Sequence, residues 1–373
     1  MFTALELVRS FHRAGHRVFV ADSNRINLCT VSNSIERSLV LPSPRFHFAA
    51  FQEQLKKIIK EYQIDLVIPV LEETLWLAKA RPNLPKNCQL FCSSLDVLKQ
   101  LHNKWLFYQL QTELDILTIP TRQIKNAEDL KKLDLPTPYV LKPAYSRGSF
   151  QLKKVSSKDS LPNLPFEPSN PWIAQAWIEG PKYCSYTICR NGRIQAHTVY
   201  PNKVEGDGVY CLHFEALKHP KILQWVENVV RKLNITGQIS FDFIEDQAGR
   251  LFAIECNPRS TSGMHLIAES SSMPQYFLEE REEVFQPPLE TGRKYGFGMM
   301  LYGWQQRETN QSFFGFVKQF CSLKDVVFCK KDLWPFLLQI FIFSSALYYK
   351  FKYKLPIPAA FLNDLNWEGE EES

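Results

Sequence analysis

Gly237-Gln-Ile-Ser-Phe-Asp-Phe-Ile-Glu245, then a turn at Asp246–Gly249, then Arg250-Leu-Phe-Ala-Ile-Glu-Cys-Asn-Pro-Arg259 decide how this chain is read. Both stretches carry the period-2 pattern of strands, and the short turn lets them pair antiparallel. Glu255 and Asn257 are two apart and so share a face, while Asp242 lies on the neighbouring strand. Three oxygen ligands can then converge on one spot, and a hard cation such as magnesium takes carboxylates together with substrate phosphates. Arg259 follows on the same side, where a guanidinium can grip a phosphoryl oxygen with two hydrogen bonds. The plainer alternative is a half-exposed hairpin with ordinary polar residues. Against it, Glu255 and Asn257 stand among Phe252, Ala253, Ile254 and Cys256, where burial without a ligand is costly.

Working upstream, Tyr139-Val-Leu-Lys142 reads as an apolar strand that runs into Pro143-Ala-Tyr-Ser-Arg-Gly-Ser149. The small residues and glycine of Ser146, Arg147, Gly148 and Ser149 let backbone N–H groups approach phosphate oxygens. No G-x-x-x-x-G-K-[ST] is present, so this is not a Walker loop. Lys104 falls in a stretch, Leu95–Leu114, that reads as a single helix, and a lone helix lysine is usually solvated. Trp172–Trp177 reads as a strand ending at Glu179-Gly180, whose backbone could bond a base edge or could equally be plain core.

The rest of the chain supplies the frame. Met1–Ala14 is expected to be a helix with Ala4, Leu7, Val8 and Phe11 on one face, followed by a strand at Arg17–Ala21. A helix at Phe51–Tyr62 and strands at Leu66–Val70 and Cys88–Cys92 continue the alternation, which implies a parallel sheet flanked by helices. A strand normally precedes the first helix of such a fold; here it is absent or the start is truncated. Cys184–Arg190 and Arg193–Tyr200 form a hairpin around Asn191-Gly192, Pro220–Leu233 is an amphipathic helix, and Ser156–Asn170 is a loop. The 373 residues suffice for two or three lobes, and 45% hydrophobic with 22% charged residues is the range of a soluble globular protein. Forty-four basic against 39 acidic residues give a net charge of +5, which suits anionic small ligands and makes no argument for nucleic acid. Nine scattered cysteines without a C-x-x-C argue against zinc and for a reducing cytosol, with no secretory signal at the start.

Order and spacing together resemble the ATP-grasp superfamily: Lys104, Lys142 with its glycine loop, Gln175–Gly180, Asp242, and Glu255-x-Asn257-x-Arg259. The similarity is strongest over Gly237–Arg259 and covers about Leu95–Leu278. The preceding part, Arg17–Ser93, looks like the N-terminal domain of the carbamoyl-phosphate-synthase and biotin-carboxylase branch. The resemblance implies an α/β fold with α+β lobes: an N-terminal parallel α/β domain over 1–94, an ATP-grasp domain over 95–280 in two lobes split near 178, and a C-terminal extension over 281–373. It implies that Lys104 and Lys142 contact the ATP phosphates, that Ser146, Arg147, Gly148 and Ser149 cover them, and that Gln175, Ala176, Trp177 and Ile178 line the adenine site. Asp242, Glu255 and Asn257 would bind Mg2+ or Mn2+, and Arg259 would steady the transferred phosphate. The implied activity is a ligase, similar to the mycosporine-glycine type, in which a small-molecule carboxylate becomes an acylphosphate and an amine displaces phosphate. A non-catalytic ATP-binding module and a carboxylase or phosphotransferase are the alternatives. One departure stands out: many members carry Gly-x-Glu after the hinge, with the glutamate on the ribose, whereas here the stretch is Gly180-Pro-Lys182 and Glu179 is the substitute at hand. His213, Glu215 and His265 lie near the expected cleft and are read as structural.

Beyond Glu279 the uncharged run Leu333–Tyr349 sits between Lys330-Lys331 and Lys350, Lys352 and Lys354, with Trp334, Tyr348 and Tyr349 at its ends. It is at the short limit for a membrane span, so a helix packed on the body or lying in an interface is the better reading. The expectation is a cytoplasmic protein with peripheral membrane contact through 333–354, a homodimer as a further option, and a disordered acidic tail at Glu368–Ser373.

Overall fold

The computed structural model describes residues 2–146, 151–157, 161–202, 211–268, 270–289, 291–304, 312–339, 341–342, 351 and 362–369. From the N-terminus, α1 (Phe2–Arg13) buries Leu5, Leu7, Val8 and Phe11. β1 (Phe19–Asp22) pairs in parallel with β2 (Arg37–Val40), and α2 (Phe48–Tyr62) follows. β3 (Leu66–Val67) pairs in parallel with β4 (Gln89–Leu90), with α3 (Glu73–Ala80) crossing between them. The parallel pairing is what the alternating pattern implied, but the four strands form two separate two-stranded sheets, and the β1–β2 connection carries no helix.

The strand expected over Leu66–Val70 is only two residues long in the ladder. Pro69 has no N–H to give it, and the carbonyls of Pro69 and Val70 are used elsewhere, by the Gln238 amide at 2.6 Å and by the Ser260 hydroxyl. The single helix expected over Leu95–Leu114 is two. α4 (Leu95–His102) stops at Asn103, whose extended backbone and side-chain oxygen cap α5 (Lys104–Glu113) by accepting from the amides of Trp105 and Leu106 at 2.9 and 3.1 Å. The break makes Lys104 the first residue of α5.

β5 (Thr121–Ile124), α6 (Ala127–Lys131), β6 (Tyr139–Pro143), β7 (Lys153–Val155) and β8 (Trp172–Ala176) form an antiparallel sheet in the order β5-β8-β6-β7. Its core is Leu130, Leu135, Tyr139, Leu141 and Trp172. β9 (Lys182–Arg190) and β10 (Arg193–Pro201) turn at Asn191 and Gly192, with φ of 47° and 75°, as a two-residue hairpin of this composition requires. After β11 (His213–Glu215) and α7 (Pro220–Lys232) come β12 (Gly237–Glu245) and β13 (Leu251–Asn257), giving a second antiparallel sheet in the order β10-β9-β12-β13. One face of this sheet packs Phe241 and Phe243 against Phe107 of α5 and against Ile222, Val226, Val229 and Val230 of α7. The other face packs Tyr186 and Ile188 against Leu7 and Phe11 of α1, and against α8 (Met264–Ile267) and α9 (Gln275–Leu278). β14 (Gly292–Lys294) pairs with β11 and β15 (Lys324–Asp325), with α10 (Gly296–Gly298) and α11 (Phe313–Ser322) between the last two.

Residues 334–339 and 341–342 are helical, whereas 340 and 343–350 of the expected 333–349 helix lie outside the described residues, and no described helix is long and apolar enough to cross a membrane. One C-terminal expectation changes. The tail expected to be disordered from Glu368 is docked as far as Gly369; 370–373 lie outside the description. Trp367 is 1% exposed and meets Trp76 edge-on at 4.6 Å, the Trp76 indole donates to the Leu365 carbonyl at 3.0 Å, and Glu368 pairs with Arg45. Burying an indole of this size stabilises by roughly 2–3 kcal/mol, which offsets the conformational freedom the short tail loses on docking.

Candidate functional site

The register of β12 and β13 sets Asp242 directly opposite Glu255 and Ser240 opposite Asn257. Between Asp242 and Phe243 the pairing slips, so that Phe243 faces Ala253 and Ile254 is left as an extra residue. Such a bulge re-aims side chains. Ile254 packs with Ala176 and Ile178 against Ile119, Ile244 and Phe252, while Glu255 stays beside Asp242 in the same half-buried position as Asn257.

Cations surround these oxygens. Lys104 Nζ lies 3.5 Å from Glu255 Oε2 and donates to the Ser146 carbonyl at 2.8 Å. The solvated position usual for a lone helix lysine does not hold: the side chain is 5% exposed, because the cap at Asn103 turns it inward and its amide is tied to the Ala144 carbonyl. Asn257 Nδ2 reaches Glu255 Oε1 at 3.5 Å, and Arg259 Nη2 donates to Asn257 Oδ1 at 3.0 Å. Lys142 is buried in β6, and burial, reinforced by the charges of Lys104 and Lys182, brings its ammonium down to about 8 against the pull of Glu255 and Asp242. Burial and the neighbouring Glu255 charge raise Asp242, whereas Glu255, despite the same burial, is held low by Lys104 and Lys142. Two cross-strand carboxylates that resist joint ionisation are a natural seat for a cation. Among the described residues no three of His, Cys, Asp and Glu converge, so a cation here would rest on two carboxylates, the Asn257 amide and oxygens brought by a ligand. The donor set is all oxygen and fits Mg2+ or Mn2+.

Lys104, Lys142, Asp242, Glu255, Asn257 and Arg259 are thus brought together, with Ser146 at the edge. Arg147, Gly148 and Ser149 lie outside the described residues. Along the expected hinge, Gln175 is buried and its amide donates to Thr121 Oγ1 at 3.1 Å, so the side chain serves the sheet. The amides of Ala176 and Trp177 donate to the carbonyls of Pro120 and Pro138 at 2.9 and 3.0 Å, and the strand ends at Ala176 rather than Trp177. Trp177 lies between two lysines, with Lys154 Nζ 4.0 Å and Lys182 Nζ 5.8 Å from its ring centre, and its indole N–H donates to Glu179 at 3.2 Å. Gly180, at φ 159°, passes so close to β12 that an added Cβ would stand 1.8 Å from the Glu245 carbonyl oxygen.

Sequence reasoning missed Glu72 and His102. Glu72 is 2% exposed and stands 3.5 Å from both Arg259 Nε and His102 Nε2. Burial first, then the charges of Lys104 and Arg259, push His102 down to about 3, so it is neutral at pH 7 and its ring packs 5.6 Å from Tyr145 at the root of the glycine loop. A signal existed: Glu72 comes two residues after the Leu66–Val70 stretch, and carboxylates beyond the C-terminal end of a parallel strand line ligand crevices. His265 bonds Glu6 at 3.0 Å and His213 contacts Gln319 at 2.9 Å, the structural placements expected of them. None of the nine cysteines is in a disulfide.

Residues 101–263 match the family model described as an ATP-grasp domain. Over 192 residues the chain is 27% identical to the arginine-specific large chain of carbamoyl phosphate synthase from Geobacillus stearothermophilus, covering 48% of this chain and 18% of that one. The chain therefore spans under a fifth of that relative's length. The solved L-amino acid ligase from Bacillus licheniformis is similar with a TM-score of 0.60 at 18% identity, over 77% of this chain and 76% of that one. N5-carboxyaminoimidazole synthetase from Staphylococcus aureus, solved with ADP, is similar with a TM-score of 0.61 at 12% identity, over 82% of each chain. At these identities the solved structures report the fold. The ATP-grasp match thus covers residues 101–263, which parallel α/β structure precedes.

Proposed function

With residues 101–263 matching an ATP-grasp domain, we propose that this chain is an ATP-dependent ligase that joins a small carboxylate to an amine and releases ADP and phosphate. The observation that carries the reading is the pairing of Asp242 with Glu255, ringed by Lys104, Lys142 and Arg259. In it, Lys104 and Lys142 bind the ATP phosphates, Ser146, Arg147, Gly148 and Ser149 cover them, and Ala176, Trp177 and Ile178 line the base, with Ile254 beneath. Glu179 stands in for the missing ribose glutamate, and Gln175 acts by holding the hinge strand. Asp242, Glu255 and Asn257 hold Mg2+ or Mn2+, which when bound neutralises phosphate charge.

The chemistry asks the protein mainly for position and charge. A carboxylate oxygen attacks the γ-phosphorus and the bond to the ADP oxygen breaks, leaving an acylphosphate. The amine nitrogen then bonds the acyl carbon, phosphate leaves, and the amine gives up a proton. Arg259, anchored by Asn257 and Glu72, faces the charge that develops on the transferred group. Lys104 must exchange Glu255 for a phosphate oxygen, which would leave Glu255 able to hold a cation. The division at 94 and 280, with two lobes parting near 178, belongs to the same reading.

The test is a screen of small acids with amino acids and other amines. ADP and phosphate should form only when both an acid and an amine are present. Formation of AMP and pyrophosphate would contradict the acylphosphate route, and tight ATP binding without turnover would favour a binding module. A peripheral membrane contact through 333–354 is a separate element of the reading, supported by the exposed Leu333, Trp334, Leu337, Phe341 and Phe351. Co-sedimentation with anionic vesicles that falls when Trp334 and Phe341 are changed to Ser is the expected result; no co-sedimentation ends that element.

A further inference from the structure

α11 starts where the Ser312 hydroxyl accepts from the Gly315 amide at 3.1 Å, and it carries four phenylalanines and a valine in ten residues. A helix of that composition is ordinarily buried, yet no residue of this one is. Phe316 and Phe320 face the body: Phe316 meets the Trp304 ring at 5.7 Å, and Phe320 lies under the Lys294 ammonium. Phe313, Phe314, Val317, Lys318 and Cys321 are exposed together, at the spacing of one helical face. Phe314 is 84% and Phe313 60% exposed. The outer face of the helix is therefore its apolar one, the reverse of a helix turned toward water.

The face extends past the helix. The π-helical turn Met299–Gly303 leaves Met300, Leu301 and Tyr302 exposed, and Trp304 after it meets Phe313 edge-on at 5.7 Å. Gly303 lets the turn lie against α11, since a Cβ there would stand 3.1 Å from the Phe316 ring. Contiguous exposed apolar surface of this kind marks a contact with a membrane or with another protein. The charges decide between them. Over the described residues of 291–342, the exposed charged side chains are Lys318, Lys324, Lys330 and Lys331. Of the acids there, Asp325 accepts the amides of Gly296, Val327 and Phe328, each at 2.7 Å, and Asp332 is buried on Arg9 at 2.8 Å. A second copy would set these lysines against the same lysines, since a two-fold contact lays one patch on itself. An anionic lipid surface attracts every one of them.

We propose that α11 and the turn before it seat the protein on an anionic membrane surface. Met300, Trp304, Phe313 and Phe314 enter the boundary between headgroups and acyl chains, and the lysines face the headgroups. The contact is interfacial: no described helix is long and apolar enough to cross. It does not rest on the contact proposed for 333–354, which shares none of these residues. The two flank one cavity, whose wall includes Met300 and Phe320 as well as Phe336. Reversible anchoring holds when apolar insertion and a basic patch act together, and this face brings both.

Co-sedimentation of the full chain with vesicles of phosphatidylcholine and phosphatidylserine, and with vesicles of phosphatidylcholine alone, tests this. Binding should be saturable on the mixed vesicles and about tenfold weaker or worse on the neutral ones, where the lysines lose their attraction. Phe313→Ser with Phe314→Ser should weaken binding to the mixed vesicles by about tenfold or more, because the inserted apolar area is gone. The thermal midpoint of that variant should not move, both side chains being exposed. Lys318→Gln should weaken binding by about fivefold. No binding to mixed vesicles, equal binding to neutral ones, or a phenylalanine variant that binds as wild type does would overturn the proposal. A loss confined to Trp334→Ser with Phe341→Ser would leave the contact through 333–354 standing and end this one. Self-association without lipid that disappears in the phenylalanine variant would assign the face to a second copy instead.

Discussion

Arg259 is gripped from two sides, by the Asn257 amide oxygen and by the Glu72 carboxylate that arrives from the end of β3. Glu72→Gln removes a buried negative charge from beside the half-buried Arg259 guanidinium. The expected cost is roughly 1.5–3 kcal/mol in the transition state, or about ten- to a hundredfold in kcat, with KM for ATP little changed. Steady-state kinetics decide it, and a wild-type kcat would remove Glu72 from the account. His102, beside the same carboxylate, gives a stability prediction. Its folded-state value of about 3 lies below the ordinary 6.5, so between these the unfolded chain binds a proton the folded one does not. Its contribution is therefore complete above about 6.5 and is lost as pH falls toward 3. Denaturant titration should show His102→Gln less sensitive than wild type to a shift from pH 7 to 5, by about 2 kcal/mol; equal sensitivity would mean the imidazole is not the group that titrates. Lys142 predicts the opposite limb. With its ammonium at about 8, kcat/KM for ATP should fall as pH rises through that value, and Lys142→Arg should move the fall to higher pH.

Elements differ in how openly their residues announce them. β12 and β13 were legible because alternation and a short turn announce an antiparallel pair, though not the bulge at Ile254, and the hairpin at Asn191-Gly192 because only such residues take positive φ cheaply. α3 was not legible: Leu75, Trp76, Leu77, Ala78 and Ala80 are all buried, so no 3.6-residue stripe appears. β2 is four residues with an exposed arginine and an exposed valine at its ends, too short for a pattern. The break at Asn103 was hidden because an N-cap inside an apolar periodicity reads as a tolerated polar residue, yet it is what turns Lys104 into the site. Asn103→Ala should therefore cost about 1 kcal/mol of stability and weaken ATP binding together; a stability loss with unchanged ATP affinity would separate the cap from the site. The gathering of Lys104, Lys142, Asp242, Glu255, Asn257 and Arg259 was foreshadowed by type and spacing, whereas Glu72 and His102 join only through tertiary packing.

At the scale of the whole molecule, the C-terminal segment ties the N-terminal helices to Tyr145, at the root of the glycine loop. Trp367 packs with Trp76 of α3, with Leu98 of α4 and with Tyr145, while Asp364 and Glu368 engage Ser43 and Arg45. None of this was readable locally, since each partner lies far along the chain and the tail's composition is that of a solvated end. Trp367→Ala should lower stability by about 3–5 kcal/mol, as loss of a buried indole does, seen as a fall in thermal midpoint; an unchanged midpoint would mean the docked segment does not stabilise the fold. The central claim is that the Asp242–Glu255 pair and its lysines form one ATP–metal site. The measurement that tests it most directly is ATP binding by calorimetry with and without Mg2+, in wild type and in the Asp242→Asn, Glu255→Gln double variant. Wild type should bind ATP tightly only with Mg2+, and the double variant should lose that dependence. A Mg2+ dependence that persists in the double variant, or wild type that binds no ATP under either condition, would contradict the account.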